Sequence, residues 1–149
     1  MTDAERLAAL APRIMNAFHS HRPRQRSGDG LSMRQYQALI ILGASGGLGA
    51  SALCGRLAVA SSTGTELVGR LIDMGLVEKR RGRRDRRRVL LSLTTSGEEL
   101  LERRGNDLVE MFELILDSLP EVGRREFVDC FERIGAVVGG GGAAGERNG

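Results

Sequence analysis

The stretch LVEKRRGRRDRRRVLLSLT, Leu76 to Thr94, narrows the fold more than any other part of the chain. From Lys79 to Arg88, eight positive charges stand against one Asp, and an apolar run with β-branched and hydroxyl residues follows at once. Charge of that density is too costly to bury unpaired, so the segment belongs at the surface. The runs 76–80 and 87–94 read as strands, with GRRD between them as the tip of a hairpin.

Helical spacing of apolar residues supplies the rest. Leu7, Leu10, Ile14 and Phe18 mark a first helix, which Thr2 or Asp3 caps. HSHRPRQRSGDG (19–30) breaks that pattern and reads as a surface loop. Ser32 is placed to cap a second helix carrying Tyr36, Leu39, Ile40 and Leu42, and ASGGLG (44–49) ends it. Two short helices follow, about Ala50–Ala58 around Leu53, Leu57 and Cys54, and about Ser61–Met74 around Leu67, Leu71 and Ile72. Ala58-Val59-Ala60 joins them, and Gly75 is the expected left-handed stop. After the hairpin, Thr94 or Thr95 opens a long helix with the stripe Leu101, Leu108, Phe112, Ile115 and Leu119. Pro120 breaks it, and Phe127, Phe131, Ile134 and Val138 mark a last helix. The glycine-rich tail 139–149 reads as disordered. Two short helices and then a basic hairpin form a winged helix-turn-helix. Its second helix can enter a major groove while the hairpin sets arginines on phosphates or in the adjacent minor groove.

Composition limits the alternatives. At 149 residues with 41% apolar content, the chain fits one domain with a real core. Net charge is only +3, so outside the hairpin the chain is acidic overall. Aromatics at 3% and the absence of Trp argue against a stacking platform for single strands. Lys79 is the one lysine among 22 basic residues, a bias that fits a high-GC bacterial genome. Cys54 and Cys130 lie far apart, which suits a reducing cytoplasm, and both read as small buried hydrophobes rather than oxidant sensors. His19 and His21 read as surface residues rather than metal ligands. No apolar run spans a bilayer and no signal peptide opens the chain, so a soluble, cytoplasmic protein without a membrane partner is expected. No nucleophile elbow, phosphate loop or metal spacing is present; no catalytic residue, cofactor or metal is expected.

Asp85-Arg86-Arg87, five further residues and Leu93-Thr94 fit a D-x-R-x5-L-T pattern. On that wing, on GRLAVASSTGTELVGRLIDMGLVEKR (55–80) and on LSMRQYQALIIL (31–42), the chain resembles the multiple-antibiotic-resistance regulator (MarR) family of bacterial transcription factors. The resemblance implies a mainly α fold with a small β-hairpin wing, a winged helix-turn-helix plus dimerisation helices. It divides the chain into an N-terminal dimerisation helix and loop (1–30), a DNA-binding domain (31–95), C-terminal dimerisation helices (96–138) and the tail (139–149). It implies a homodimer with interlocking first and last helices, bound to a pseudo-palindromic operator on double-stranded DNA, usually as a repressor. A small organic effector or an oxidant often shifts the spacing of the reading helices in such proteins.

On the reading helix the candidate base contacts are Ser61, Ser62, Thr63, Thr65, Glu66 and Arg70. Glu66 repels phosphate but could accept from cytosine N4, and Arg70 could serve only to pair with an acidic neighbour. Ala60 stands where a capping Ser or Thr is common, so the cap is expected to move to Ser61, and Gly64 and Gly69 weaken the helix. On the wing, Arg87 is expected in the minor groove with Asp85 holding it by an ion pair, and Arg83, Arg84 and Arg86 are expected on phosphates. By position, Met15, Phe18, Tyr36, Ile40, Met111 and Phe112 are candidates for an effector pocket. Two other functions fit the residues, a winged-helix protein–protein module, suggested by Gly64, Glu66 and Gly69, and a sequence-neutral nucleic-acid binder.

Overall fold

Two helices begin where the sequence supplies both halves of a capping box. In a computed structural model, which describes residues 1–20 and 30–139, the Thr2 hydroxyl accepts from the Glu5 amide while the Glu5 carboxylate accepts from the Thr2 amide. Ser32 and Gln35 make the same exchange at 3.2 and 2.8 Å. Each pair satisfies two amides that helix geometry leaves without partners. The helices they open are α1 (Asp3–Ser20) and α2 (Met33–Ser45). Helix α1 continues through His19 and Ser20, so the expected loop starts later than position 19; the rest of that loop, His21 with it, and residues 140–149 of the tail lie outside the described residues.

Helices α3 (Ala50–Leu57) and α4 (Ser61–Asp73) follow, then strands β1 (Val77–Arg81) and β2 (Val89–Leu93), and helices α5 (Thr95–Asp117) and α6 (Glu121–Gly139). Helix α4 stops as the sequence predicts. Gly75 takes a φ of +73°, its amide reaches Ile72 O, and the Leu76 amide reaches Leu71 O. Those two bonds satisfy carbonyls of the last turn and feed the chain directly into β1. Its start differs from expectation: the cap is Ala60, with no side-chain bond, rather than Ser61.

The hairpin is antiparallel, with Val77 opposite Leu93 and Arg81 opposite Val89. Its second strand begins at Val89 rather than Arg87. The tip is wider than GRRD because the Arg88 amide bonds Asp85 O and the Gly82 amide bonds Arg88 O, closing a turn on the arginine side. A third segment joins it. Gly46 and Gly47, at φ +70° and +141°, turn the chain so that Leu48 exchanges two backbone bonds with Leu91, at 2.9 and 2.7 Å. Thr94 ties the hairpin's base to α5. Its hydroxyl donates to Gly75 O and accepts from the Gly97 amide, which makes Thr94, not Thr95, the cap of the helix.

The chain divides into two compact units inside α5, between Leu108 and Val109. The first holds the core: Ala38, Leu39 and Leu42 from α2, Leu53 and Leu57 from α3, Leu67, Val68 and Leu71 from α4, Leu91 and Leu93 from β2, and Leu100 from α5. Fully burying each such leucine is worth about 1.5–3 kcal/mol. Leu39 and Leu42 are buried as expected, whereas Ile40, expected with them, is exposed because the inward face of α2 is completed by Ala38. In the second unit Phe131 meets Phe112 edge-on at 5.3 Å and stacks on Phe127 at 5.6 Å. No residue of α6 is buried, and Cys130, expected in an apolar interior, is exposed.

Candidate nucleic-acid interface

Helix α4 is two-faced by sequence. Gly64, Leu67, Val68 and Leu71 recur at helical spacing and are buried, which turns Ser61, Ser62, Thr63, Thr65, Glu66 and Arg70 outward. All six candidate readers are exposed. The Thr65 hydroxyl donates back to Ser61 O at 2.8 Å, so in the free chain it serves its own helix. Arg70 pairs with Glu66 at 2.8 Å, one turn away. Both side chains are about two-thirds exposed, so the pair holds by no more than about 0.5 kcal/mol and opens easily for another partner. It also offsets the negative charge that Glu66 would otherwise turn toward phosphate.

The wing presents Arg83, Arg84, Asp85, Arg86 and Arg87, all exposed. Among the described residues the guanidinium groups of Arg83, Arg84, Arg86 and Arg87 make no hydrogen bond or ion pair. Other arginines of the hairpin are engaged: Arg80 pairs with Glu78, and Arg81 donates to Arg86 O. Asp85 does not hold the Arg87 side chain by an ion pair. Its carboxylate accepts from the Arg87 backbone amide at 3.0 Å, an Asx-type bond that sets the turn and leaves the guanidinium projecting.

The wing is also braced from a side that sequence reading missed. Its second strand is pinned by Leu48, a lone apolar residue between glycines, and that isolation was the available signal. Ser92 is buried as well, so the hairpin's base is covered on both faces while its tip stands in solvent. Basic charge therefore sits on a supported element.

A cavity of about 150 Å³ lies in the first unit, lined by Phe18, His19, Met33, Tyr36, Arg104, Asp107 and Leu108. Arg104, only 7% exposed, organises it. Its guanidinium sits 5.1 Å from the Tyr36 ring centroid and donates to His19 O at 3.0 Å, joining α5 to α2 and to the end of α1. The sequence reading missed Arg104, although its place between Leu101 and Leu108 on the apolar stripe of α5 was an available signal. Of the candidate effector residues, this cavity brings together Phe18 and Tyr36. Met15 is exposed, Ile40 lines a separate groove with Arg34 and Arg56, and Met111 and Phe112 belong to the second unit. Among the described residues no cluster of three metal-ligating side chains occurs, and no helix is long and apolar enough to cross a membrane.

Comparison with known proteins matches residues 29–88 to the MarR family. The chain is 24% identical over 107 residues to the HTH-type transcriptional regulator BilQ of Clostridium symbiosum, covering 72% of this chain and 74% of that one. Its fold is similar to Rv1404 from Mycobacterium tuberculosis, with a TM-score of 0.78 at 21% identity over 93% of this chain and 96% of the other. It is similar also to Streptococcus pneumoniae FabT, solved in complex with DNA, with a TM-score of 0.72 at 21% identity over 91% and 97%. These likenesses establish a winged-helix architecture.

Proposed function

We propose, from the match of residues 29–88 to the MarR family, that this chain is a transcriptional regulator of that family, a sequence-specific repressor that binds a pseudo-palindromic operator as a homodimer. The observation that carries the reading is the pairing of an outward polar face on α4 with four uncommitted arginines on a braced wing. The helix supplies base-edge contacts, for which Ser61, Ser62, Thr63, Thr65, Glu66 and Arg70 are the candidates, and the wing supplies phosphate and minor-groove contacts. FabT's complex with DNA supports the same mode here.

The homodimer reading rests on apolar faces that one chain leaves uncovered. Leu7, Leu10 and Ile14 of α1, and Phe131, Ile134 and Val138 of α6, are exposed at helical spacing. A two-fold dimer covers both stripes and sets two α4 helices one DNA turn apart. Release by a small effector is supported by the Phe18–Tyr36–Arg104 cavity, whose volume suits a ligand of about one aromatic ring. Such a ligand would act on the joint that Arg104 makes between α1, α2 and α5.

The test is a binding titration at matched salt, comparing a duplex that the protein selects from a random pool with a scrambled duplex. Preference for the selected site by about 10³-fold or more is expected. Equal affinity for the two favours a sequence-neutral binder, and no binding to either favours a protein–protein module; each result overturns the proposal.

A further inference from the structure

The two glycines of α4 have different surroundings. A Cβ built on Gly69 meets nothing within 4 Å, whereas one built on Gly64 falls 2.1 Å from the Cys54 sulfur. The next nearest atoms are Cys54 Cβ at 3.6 Å and Val59 Cγ2 at 3.7 Å, both ordinary contacts, so one sulfur atom accounts for the whole conflict. Cys54 lies on α3 and Gly64 on the buried face of α4, in the first turn of that helix and six residues beyond the sharp corner at Ala58, whose φ is +53°. The Cys54 carbonyl accepts from the amides of Ala58 and Val59 in that turn. One residue thus holds the corner with its backbone and meets the reading helix with its side chain.

We propose that the Cys54–Gly64 contact is the spacer that sets how far α4 stands out from the domain, which makes both residues positioning residues for DNA reading. The inference rests on the proposal that α4 reads bases. A helix pays about 0.8–1 kcal/mol for an internal glycine relative to alanine. At Gly64 that cost is matched by a close approach that no side chain permits. The sulfur can yield only by turning about χ1, and one of its three staggered positions runs into the preceding turn of α3. With the sulfur in its place, a methyl at position 64 moves α4 outward. Ser62 and Glu66 ride on the opposite face and move with it, as do Ser61 and Thr65 on its flanks, and base-edge hydrogen bonds tolerate only a few tenths of an ångström.

The experiment is a four-member cycle of the full chain: wild type, Gly64→Ala, Cys54→Ala and the double variant. Each is titrated against the selected duplex and a scrambled one, with melting followed by circular dichroism. Gly64→Ala is expected to bind the selected duplex about tenfold more weakly, the size of one lost base contact, and to keep its affinity for the scrambled duplex, which depends on phosphate contacts. The double variant is expected to recover selected-site affinity to within about twofold and to melt no lower than Cys54→Ala alone, because its methyl meets only the 3.6 and 3.7 Å neighbours. Wild-type affinity in Gly64→Ala overturns the spacer, as does a double variant as weak as Gly64→Ala. Should Gly64→Ala fail to fold, the double variant decides: folded and selective supports the spacer, unfolded overturns it. If wild type itself shows no site preference, the DNA-reading proposal fails, and the melting data still report whether the contact is as tight as described.

Discussion

In α4 the residues Leu67, Val68 and Leu71 are buried against α3 and the hairpin, whereas in α6 Phe131 and Ile134, at the same kind of spacing, remain 48% and 55% exposed. The amphipathic pattern is alike in the two helices, but only one has its partner within the chain. The difference teaches that periodicity specifies a helix with a side to cover and is silent about what covers it. For α4 the cover is the core of the first unit. For α6 the proposed cover is a second copy, and the same holds for α1, which also buries no residue.

Five changes would break or sharpen this contrast. The largest effect is expected from Leu71→Ala, which empties a fully buried site in α4 and should cost about 2–5 kcal/mol in a denaturant melt, independent of protein concentration. An unchanged midpoint would mean that the α4 stripe is not core. Ile134→Glu on α6 is expected to leave the first unit folded while converting the sedimenting species from dimer to monomer and abolishing any rise of Tm with concentration. A dimer that persists would show that α6 is covered by something else. Arg87→Ala is expected to weaken binding to the selected duplex by about 1–3 kcal/mol, and Arg84→Ala to lower the salt slope by about 0.9 with equal effect on any sequence. Identical behaviour of the two variants would erase the distinction between a minor-groove and a phosphate contact. The smallest effect is Gly69→Ala, which should stabilise by about 0.8–1 kcal/mol, since a methyl there meets open space.

Much of the fold was legible in the chain because its signals are local. Ser32 before Met33, Gly75 after Met74, and Pro120 between two stripes act within one or two helical turns, and the elements begin or end there. The wing was legible for the same reason, as a charged run followed by an apolar one. Errors gathered where a residue's role depends on a distant partner. Asp85 bonds the Arg87 amide rather than its side chain, and the α4 cap stays at Ala60 because the turn from α3 sets the helix start. Cys130 has an apolar neighbourhood in sequence but no cover in the single chain.

The candidate site divides along the same line. Which α4 residues face outward follows from a 3.6-residue period anchored on Leu67 and Leu71, and the arginine density of residues 79–88 is read directly. That Leu48 braces the wing, that Arg104 reaches back to the carbonyl of His19, and that the Cys54 sulfur rests on Gly64 were decided by tertiary structure alone. The sequence by itself determined the helices, their order, the basic hairpin and the face that α4 shows to solvent, because each depends on neighbours within a few residues. Only the tertiary structure decided what those elements rest on, because close packing matches the shapes of side chains far apart in the chain, and no local period encodes that match.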